Sequence, residues 1–119
     1  MNKLTIIGNL TGDPELRTTS AGKEVCSFTV AVNRRTEGAD FFRVSAWGER
    51  GKVCAKYLQK GRKVAVIGAV SVHVYTKNNG DPSASLEVMA DEVEFLSPKA
   101  EKVDQQTGYQ QVEPDDLPY

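Results

Sequence analysis

Phe41, Arg43, Ser45 and Trp47 occupy alternate positions of one short run, Asp40 to Trp47, so an extended chain projects all four from one side. Two large rings with a guanidinium between them form an unusual outward row. Their neighbours Phe42, Val44 and Ala46 read as an ordinary core face. The run Lys63 to Tyr75 divides the same way, with Val64, Val66, Gly68, Val70, Val72 and Val74 on one side and Ser71, His73 and Tyr75 ending the other. If the runs at 25–33, 40–47 and 63–75 are neighbours, one surface presents Asn33, Phe41, Arg43, Trp47, His73 and Tyr75. Lys3, Arg17, Arg34, Arg35, Lys60, Arg62 and Lys63 then supply a basic rim. Rings interleaved with cations suit an unpaired nucleic-acid strand. Bases stack on them for ~1–3 kcal/mol each without regard to sequence, while Lys and Arg follow the phosphates. A barrel core, an oligomer interface or a small-molecule pocket draws on the same residue types, and the pattern alone leaves those readings open.

Other chemistry has less to work with. His73 is the single histidine, and no serine or cysteine at an elbow-like turn stands ready to pair with it. Asp91, Glu92 and Glu94 cluster, but alternation sends Glu92 and Glu94 to one solvated strand face rather than into an acid–base pair. Gly8, Gly61 and Gly68 match no phosphate-cradling spacing. Cys26 and Cys54 have neither a CxxC spacing nor a histidine cluster, so two reduced, half-buried thiols are expected, with no metal and no cofactor. Met1-Asn2-Lys3 leads straight into a strand-like run, and no apolar stretch approaches membrane-spanning length. The expectation is a non-enzymatic cytoplasmic protein.

The elements that must position these residues are short. Leu4 to Leu10 reads as a strand closed by the turn residues Gly12-Asp13-Pro14, and Ser20 to Lys23 turns into a strand from Val25 to Asn33. That strand alternates Cys26, Phe28, Val30 and Val32 against Ser27, Thr29, Ala31 and Asn33. Arg34 to Ala39 is a polar loop before the strand Asp40 to Trp47. Glu49 to Lys60 breaks the period of two: Val53, Cys54, Tyr57 and Leu58 make the stripe of a short amphipathic helix, with Gly61 placed to end it. Lys63 to Tyr75, the turn signal Lys77 to Pro82, and Ser85 to Phe95 read as a long hairpin. Five strands with one helix between the third and fourth is the order of an all-β, Greek-key OB-fold barrel.

The charge is split along the chain. Residues 1–96 hold 13 Lys+Arg and 11 Asp+Glu, a net of +2, whereas 97–119 hold 2 and 5, a net of −3. The segment 97–112, with Pro98, Gly108 and two Gln-Gln pairs, has almost nothing to bury and predicts a disordered linker. It leads to Glu113-Pro114-Asp115-Asp116-Leu117-Pro118-Tyr119. The prolines there discourage helix and strand, and Leu117 and Tyr119 lie within an acidic stretch that could fray or could dock into another protein. Three parts follow: a domain at 1–96, a linker at 97–112 and an acidic tip at 113–119.

A resemblance to a known family is carried by an ordered series of stretches: Met1-Asn2-Lys3 through Ile7-Gly8-Asn9-Leu10, Asp13 to Arg17, Phe28 to Arg35, Phe42-Arg43-Val44, Tyr57 to Gly61, Ala90 to Val93 and Asp115 to Tyr119. By them the chain resembles the bacterial single-stranded DNA-binding protein (SSB) family. The resemblance implies an OB-fold assembled as a homotetramer, with single-stranded DNA held by Phe41, Trp47 and Tyr75 and by basic residues. It further implies that Asp115, Asp116, Leu117, Pro118 and Tyr119 recruit replication, repair and recombination proteins. The chain departs from the family in its short acidic loop Thr36 to Ala39, in Ser71, His73 and Val74 where many relatives are basic, in Phe42 near the subunit interface, in its short linker and in a final Tyr119. A single-stranded RNA binder or chaperone, or an adaptor whose domain mainly presents the tail, would share most of these features.

Overall fold

A computed structural model of the protein describes residues 1–97. The expected tip, and the expected linker from Pro98 onward, lie outside the described residues. Seven elements follow in order: β1 (Leu4–Leu10), β2 (Glu15–Thr18), β3 (Glu24–Asn33), β4 (Ala39–Trp47), α1 (Gly48–Tyr57), β5 (Lys63–Thr76) and β6 (Pro82–Phe95). The strands form one sheet in the order β1-β5-β6-β4-β3-β2, and β1 also pairs with β3. That extra pairing, Asn9 with Ala31 and Leu10 with Val30, closes five strands into a barrel. This is the OB-fold arrangement, with α1 between β4 and β5.

Closure depends on where side chains are missing. A Cβ on Gly8 would lie 2.2 Å from the carbonyl oxygen of Ala31, so only glycine lets β1 approach β3. Gly51 seats α1 in the same way, since a Cβ there would lie 2.3 Å from the Ala46 oxygen. Inside, Ile6, Leu10, Cys26, Phe28, Val30, Val44, Val64, Val66 and Val88 form one continuous apolar cluster with Cys54 and Leu58. A bulge opposite Ile67 and Gly68 inserts Asp91 into β6. The extra residue lets Val88 and Ala90 before it, and Val93 after it, all serve the interior while Asp91 and Glu92 stay exposed.

The structure corrects the sequence expectations in four places. β2, for which the sequence pattern predicts no element between the turns at 12–14 and 20–23, is a short strand on the edge of β3, pairing Glu15–Thr18 with Glu24–Ser27. The helix stops at Tyr57 rather than Lys60, because Leu58 turns extended to bury its side chain in the core. Gly61 belongs instead to the following turn, where its N–H donates to the Leu10 carbonyl at 2.9 Å. Only half of the predicted helix stripe is covered: Cys54 and Leu58 are buried, Val53 and Tyr57 exposed. Finally, β5 is not a neighbour of β4. β6 runs between them, parallel to β4 from Phe42 level with Leu86 to Ser45 level with Met89.

Candidate nucleic-acid interface

β4 is the centre of the candidate site because it has a strand on each side. Its antiparallel register with β3 sets Trp47 opposite Val25, Arg43 opposite Thr29 and Phe41 opposite Ala31. Residues directly opposite share a face, so the outward row holds small partners beside large rings. Phe41 is 59% exposed and Trp47 40%. They sit six positions apart on one strand, about 20 Å at ~3.4 Å per residue. Each is therefore a separate platform rather than half of a single clamp.

The rows extend across the sheet. Arg17 on β2 is level with Val25 and hence with Trp47, which brings a guanidinium to that end of the face. Arg43 is level with Glu87 on β6, and Glu87 with Ser71 on β5. His73 and Tyr75 lie further toward the β5–β6 turn, opposite Ser85 and Ser83. Their rings stack, with centroids 5.8 Å apart and planes 16° from parallel. That contact orders the Tyr75 ring in advance and leaves it exposed. The hairpin thus carries the surface beyond the barrel, so His73 and Tyr75 join Phe41 across β6 rather than directly.

The basic residues divide by position. Arg34 is held at the base of the β3–β4 loop, its Nε 3.0 Å and its terminal nitrogen 2.9 Å from Oδ1 of Asp40. The loop is tight, with the Arg34 N–H on the Gly38 carbonyl at 2.9 Å. Arg35 is exposed beside it, and Asn33 is exposed at the end of β3. Lys60 and Arg62 occupy the turn after α1, tied by the Lys60 N–H to Asp13 Oδ1 at 2.9 Å and by the Leu10 N–H to the Arg62 carbonyl at 2.9 Å. Leu10 and Thr11 bond or pair to β3, so this turn flanks the face on the side away from β4. Lys3 is the outlier. It precedes β1 beside Asn2, whose side chain brackets Val70 at 2.8 and 3.1 Å, on the edge of β5 away from β6.

Two members of this surface escaped the sequence reading. Met89 is exposed level with Ser45 and Ala69, and Glu87 stands beside Arg43. Their parity with Ser85 would have placed them outward, but only the parallel β4–β6 register shows that they adjoin the aromatic row. Met89 adds a deformable apolar surface, and Glu87 a negative charge in the middle of a cationic row.

The cysteines lie apart from this face. Burial pushes the Cys54 thiol up to about 12, with the neighbouring Cys26 adding to the effect and Arg50 opposing it. Cys26 is raised by burial as well. Both are free and held in the neutral form at physiological pH. No helix among the described residues is long and apolar enough to cross a membrane.

Residues 1–96 match the model of the single-strand binding protein family. The chain belongs to the single-strand binding protein family. It is 39% identical over 117 residues to the single-stranded DNA-binding protein 1 of Staphylococcus aureus (strain MSSA476), covering 93% of this chain and 75% of that one. Two proteins of Clostridium acetobutylicum are also similar. Single-stranded DNA-binding protein 1 is 39% identical over 110 residues, which cover 87% of this chain and 100% of the relative. Single-stranded DNA-binding protein 3 is 41% identical over 102 residues, 81% and 71% of the two chains. Members of the single-strand binding protein family bind DNA and are not enzymes. The family match ends at residue 96, next to the hydrogen bonds that fasten Leu96 and Ser97 to Lys63.

Proposed function

We propose that the protein binds single-stranded DNA with little regard to sequence and protects it during replication, recombination and repair. Unpaired bases stack on Phe41, Trp47 and Tyr75, with Arg17, Arg43, Arg35, Lys60 and Arg62 against the phosphates and Asn33 and His73 at the margin. Arg34 and Lys3 contribute less, the first because Asp40 engages it and the second because of its position beyond β5. The observation that carries this reading is the set of exposed rings and cations on one face of β4, with Arg17 of β2 level with Trp47 and the β5–β6 hairpin prolonging the face. The logarithm of the binding constant for an oligo-dT should fall linearly with log salt concentration, with a slope of about −0.7 per neutralised phosphate. Affinity indifferent to salt would remove the phosphate half of the proposal. Parallel titration with RNA of the same sequence separates the DNA reading from an RNA one.

The tip Asp115-Asp116-Leu117-Pro118-Tyr119 recruits replication, repair and recombination proteins, its apolar side chains entering a partner pocket whose basic residues hold the carboxylates. Full-length protein should capture such proteins, and the Leu117→Ala/Tyr119→Ala variant should not. The protein works in the cytoplasm, on the nucleoid, as a homotetramer. Support for self-assembly comes from the inner face of the β5–β6 hairpin, where Val72 and Val74 are 62% and 70% exposed beside exposed Leu86 and half-buried Phe42. Light scattering with and without a long oligo-dT would fix subunit number and stoichiometry together.

A further inference from the structure

Glu87 is out of place on a surface suited to phosphates. It lies on β6 with Arg43 of β4 level on one side and Ser71 of β5 on the other, and Thr29 of β3 continues the row beyond Arg43. The side chain is half-buried, and its carboxylate has no ion pair or hydrogen bond among the described residues. Arg43, although level with it, forms no ion pair either. The core owes Glu87 nothing, because Val88 and Ala90 fill it from the opposite side of β6. A negative charge here repels the backbone of a bound strand. What it can offer that strand is hydrogen-bond acceptance, since an ionised carboxylate accepts and cannot donate.

The register shows what would come within its reach. Phe41 is two residues from Arg43, so it stands diagonal to Glu87 across the β4–β6 pair. With strands ~4.8 Å apart and alternate residues ~7 Å apart, the two Cα atoms are separated by about 8 Å, a diagonal that rings and long side chains span. His73, two residues from Ser71, is diagonal to Glu87 on the other side, and its ring stacks on Tyr75. Glu87 therefore lies between two aromatic platforms, and a base stacked on Phe41 has its hydrogen-bonding edge within reach of the carboxylate.

An acceptor-only group sorts bases by their donors. Guanine carries its N1–H and its N2 amino group side by side, a pair that matches the two carboxylate oxygens. Cytosine and adenine each carry one amino group on that edge, and thymine carries one N3–H between two carbonyl oxygens that repel a carboxylate. We propose that Glu87 is a base-selecting residue, accepting from the N1–H and N2–H of a guanine stacked on Phe41 and disfavouring thymine at that place. The proposal rests on the single-stranded DNA reading and deepens it. Trp47 and Tyr75 hold the strand through stacking alone, whereas the position beside Phe41 favours one base. The repulsion Glu87 exerts on the backbone is then offset only where a donor-rich base faces it.

The test uses three oligonucleotides of one length: dT alone, dT with an isolated dG at every fourth position, and the same sequence with deoxyinosine in place of each dG. Deoxyinosine keeps the purine ring and the N1–H but lacks the N2 amino group, so comparing it with dG separates hydrogen bonding from stacking. The full-length protein should bind the dG oligonucleotide about fivefold more tightly than the deoxyinosine one, the lower end of a bidentate base contact because this face is open to water. Glu87→Gln keeps the shape and removes the charge. It should bring the dG-to-deoxyinosine ratio close to one while raising affinity for all three oligonucleotides at low salt. Equal binding of the dG and deoxyinosine oligonucleotides by the wild-type protein would overturn the proposal, whether or not the variant folds. So would a preference for dG that survives intact in a folded Glu87→Gln protein. Tight binding of dT with no dG preference removes the role of Glu87 and leaves the single-stranded DNA reading standing. If none of the three oligonucleotides binds, both fall.

Discussion

Val64 and Val66 on one hand, Val72 and Val74 on the other, are the same residue type at the same alternation within one strand. Their fates are opposite: the first pair is fully buried and the second is 62% and 70% exposed. The difference lies in the neighbours. β1 pairs with β5 only from Lys63 to Gly68, and beyond that point β5 has β6 alone beside it. A period of two marks an apolar face, but the number of strands that close over it decides whether the chain buries that face itself. The barrel half of β5 is completed within the protein. The hairpin half offers its valines to something outside.

The sharpest test sets the two halves against each other. Val66→Ala should cost about 2–3 kcal/mol in urea unfolding, through lost burial and an unfilled space among Val64, Val44 and Val88. Val74→Ala should change the unfolding of the isolated subunit by no more than about 0.5 kcal/mol. Equal losses, independent of protein concentration, would mean that the hairpin valines are packed within one chain. Val74→Asp should reduce the assembled mass seen by light scattering, and an unchanged mass would remove this face from the interface.

The same contrast governs what could be read from the sequence. Period-two segments with turn residues between them were sufficient for β1, β3, β4 and β6, because each carries a mainly apolar side at alternate positions. β2 was not legible: Glu15-Leu16-Arg17-Thr18 has no buried side, and only its pairing to the edge of β3 makes it a strand. The helix stripe misled for the reason β5 did, since Val53 and Tyr57 lie on an apolar side that the barrel does not cover. At the candidate site, the row of Phe41, Arg43 and Trp47 follows from parity within a single strand. The contributions of Met89 and Glu87, and the route of Tyr75 through β6, required a parallel pairing between strands about 40 residues apart, which no local pattern encodes.

β4 repeats the comparison across its own thickness, at a somewhat smaller scale. Phe41→Ala and Trp47→Ala should each weaken binding to oligo-dT by ~1–3 kcal/mol for each base that stacks, with urea midpoints nearly unchanged. Phe42→Ala, one residue away on the inner face, should do the reverse, lowering stability or assembly more than affinity for DNA. Normal DNA affinity in both outward variants would assign Phe41 and Trp47 to packing against another subunit. A loss of affinity with Phe42→Ala that matched theirs would erase the distinction between the two faces.

The smallest effect concerns charge rather than packing, on the short hairpin β3–β4 rather than the long one. Arg34 and Asp40 form an ion pair with both side chains about half exposed, a class worth only ~0.2–1 kcal/mol to stability. Its larger consequence is competition, because the carboxylate occupies the guanidinium that a phosphate would need. Asp40→Asn removes the charge while keeping the shape, so Arg34 becomes available. Oligo-dT affinity should then rise modestly at low salt, and the salt slope should steepen by about 0.7, the share of one additional phosphate. Arg34→Ala should cancel that gain when combined with Asp40→Asn, which separates release of Arg34 from simple removal of a negative charge beside Phe41. If Asp40→Asn weakens binding instead, the pair serves to hold the Arg34–Gly38 loop in shape, and order in the short hairpin outweighs the charge it sequesters.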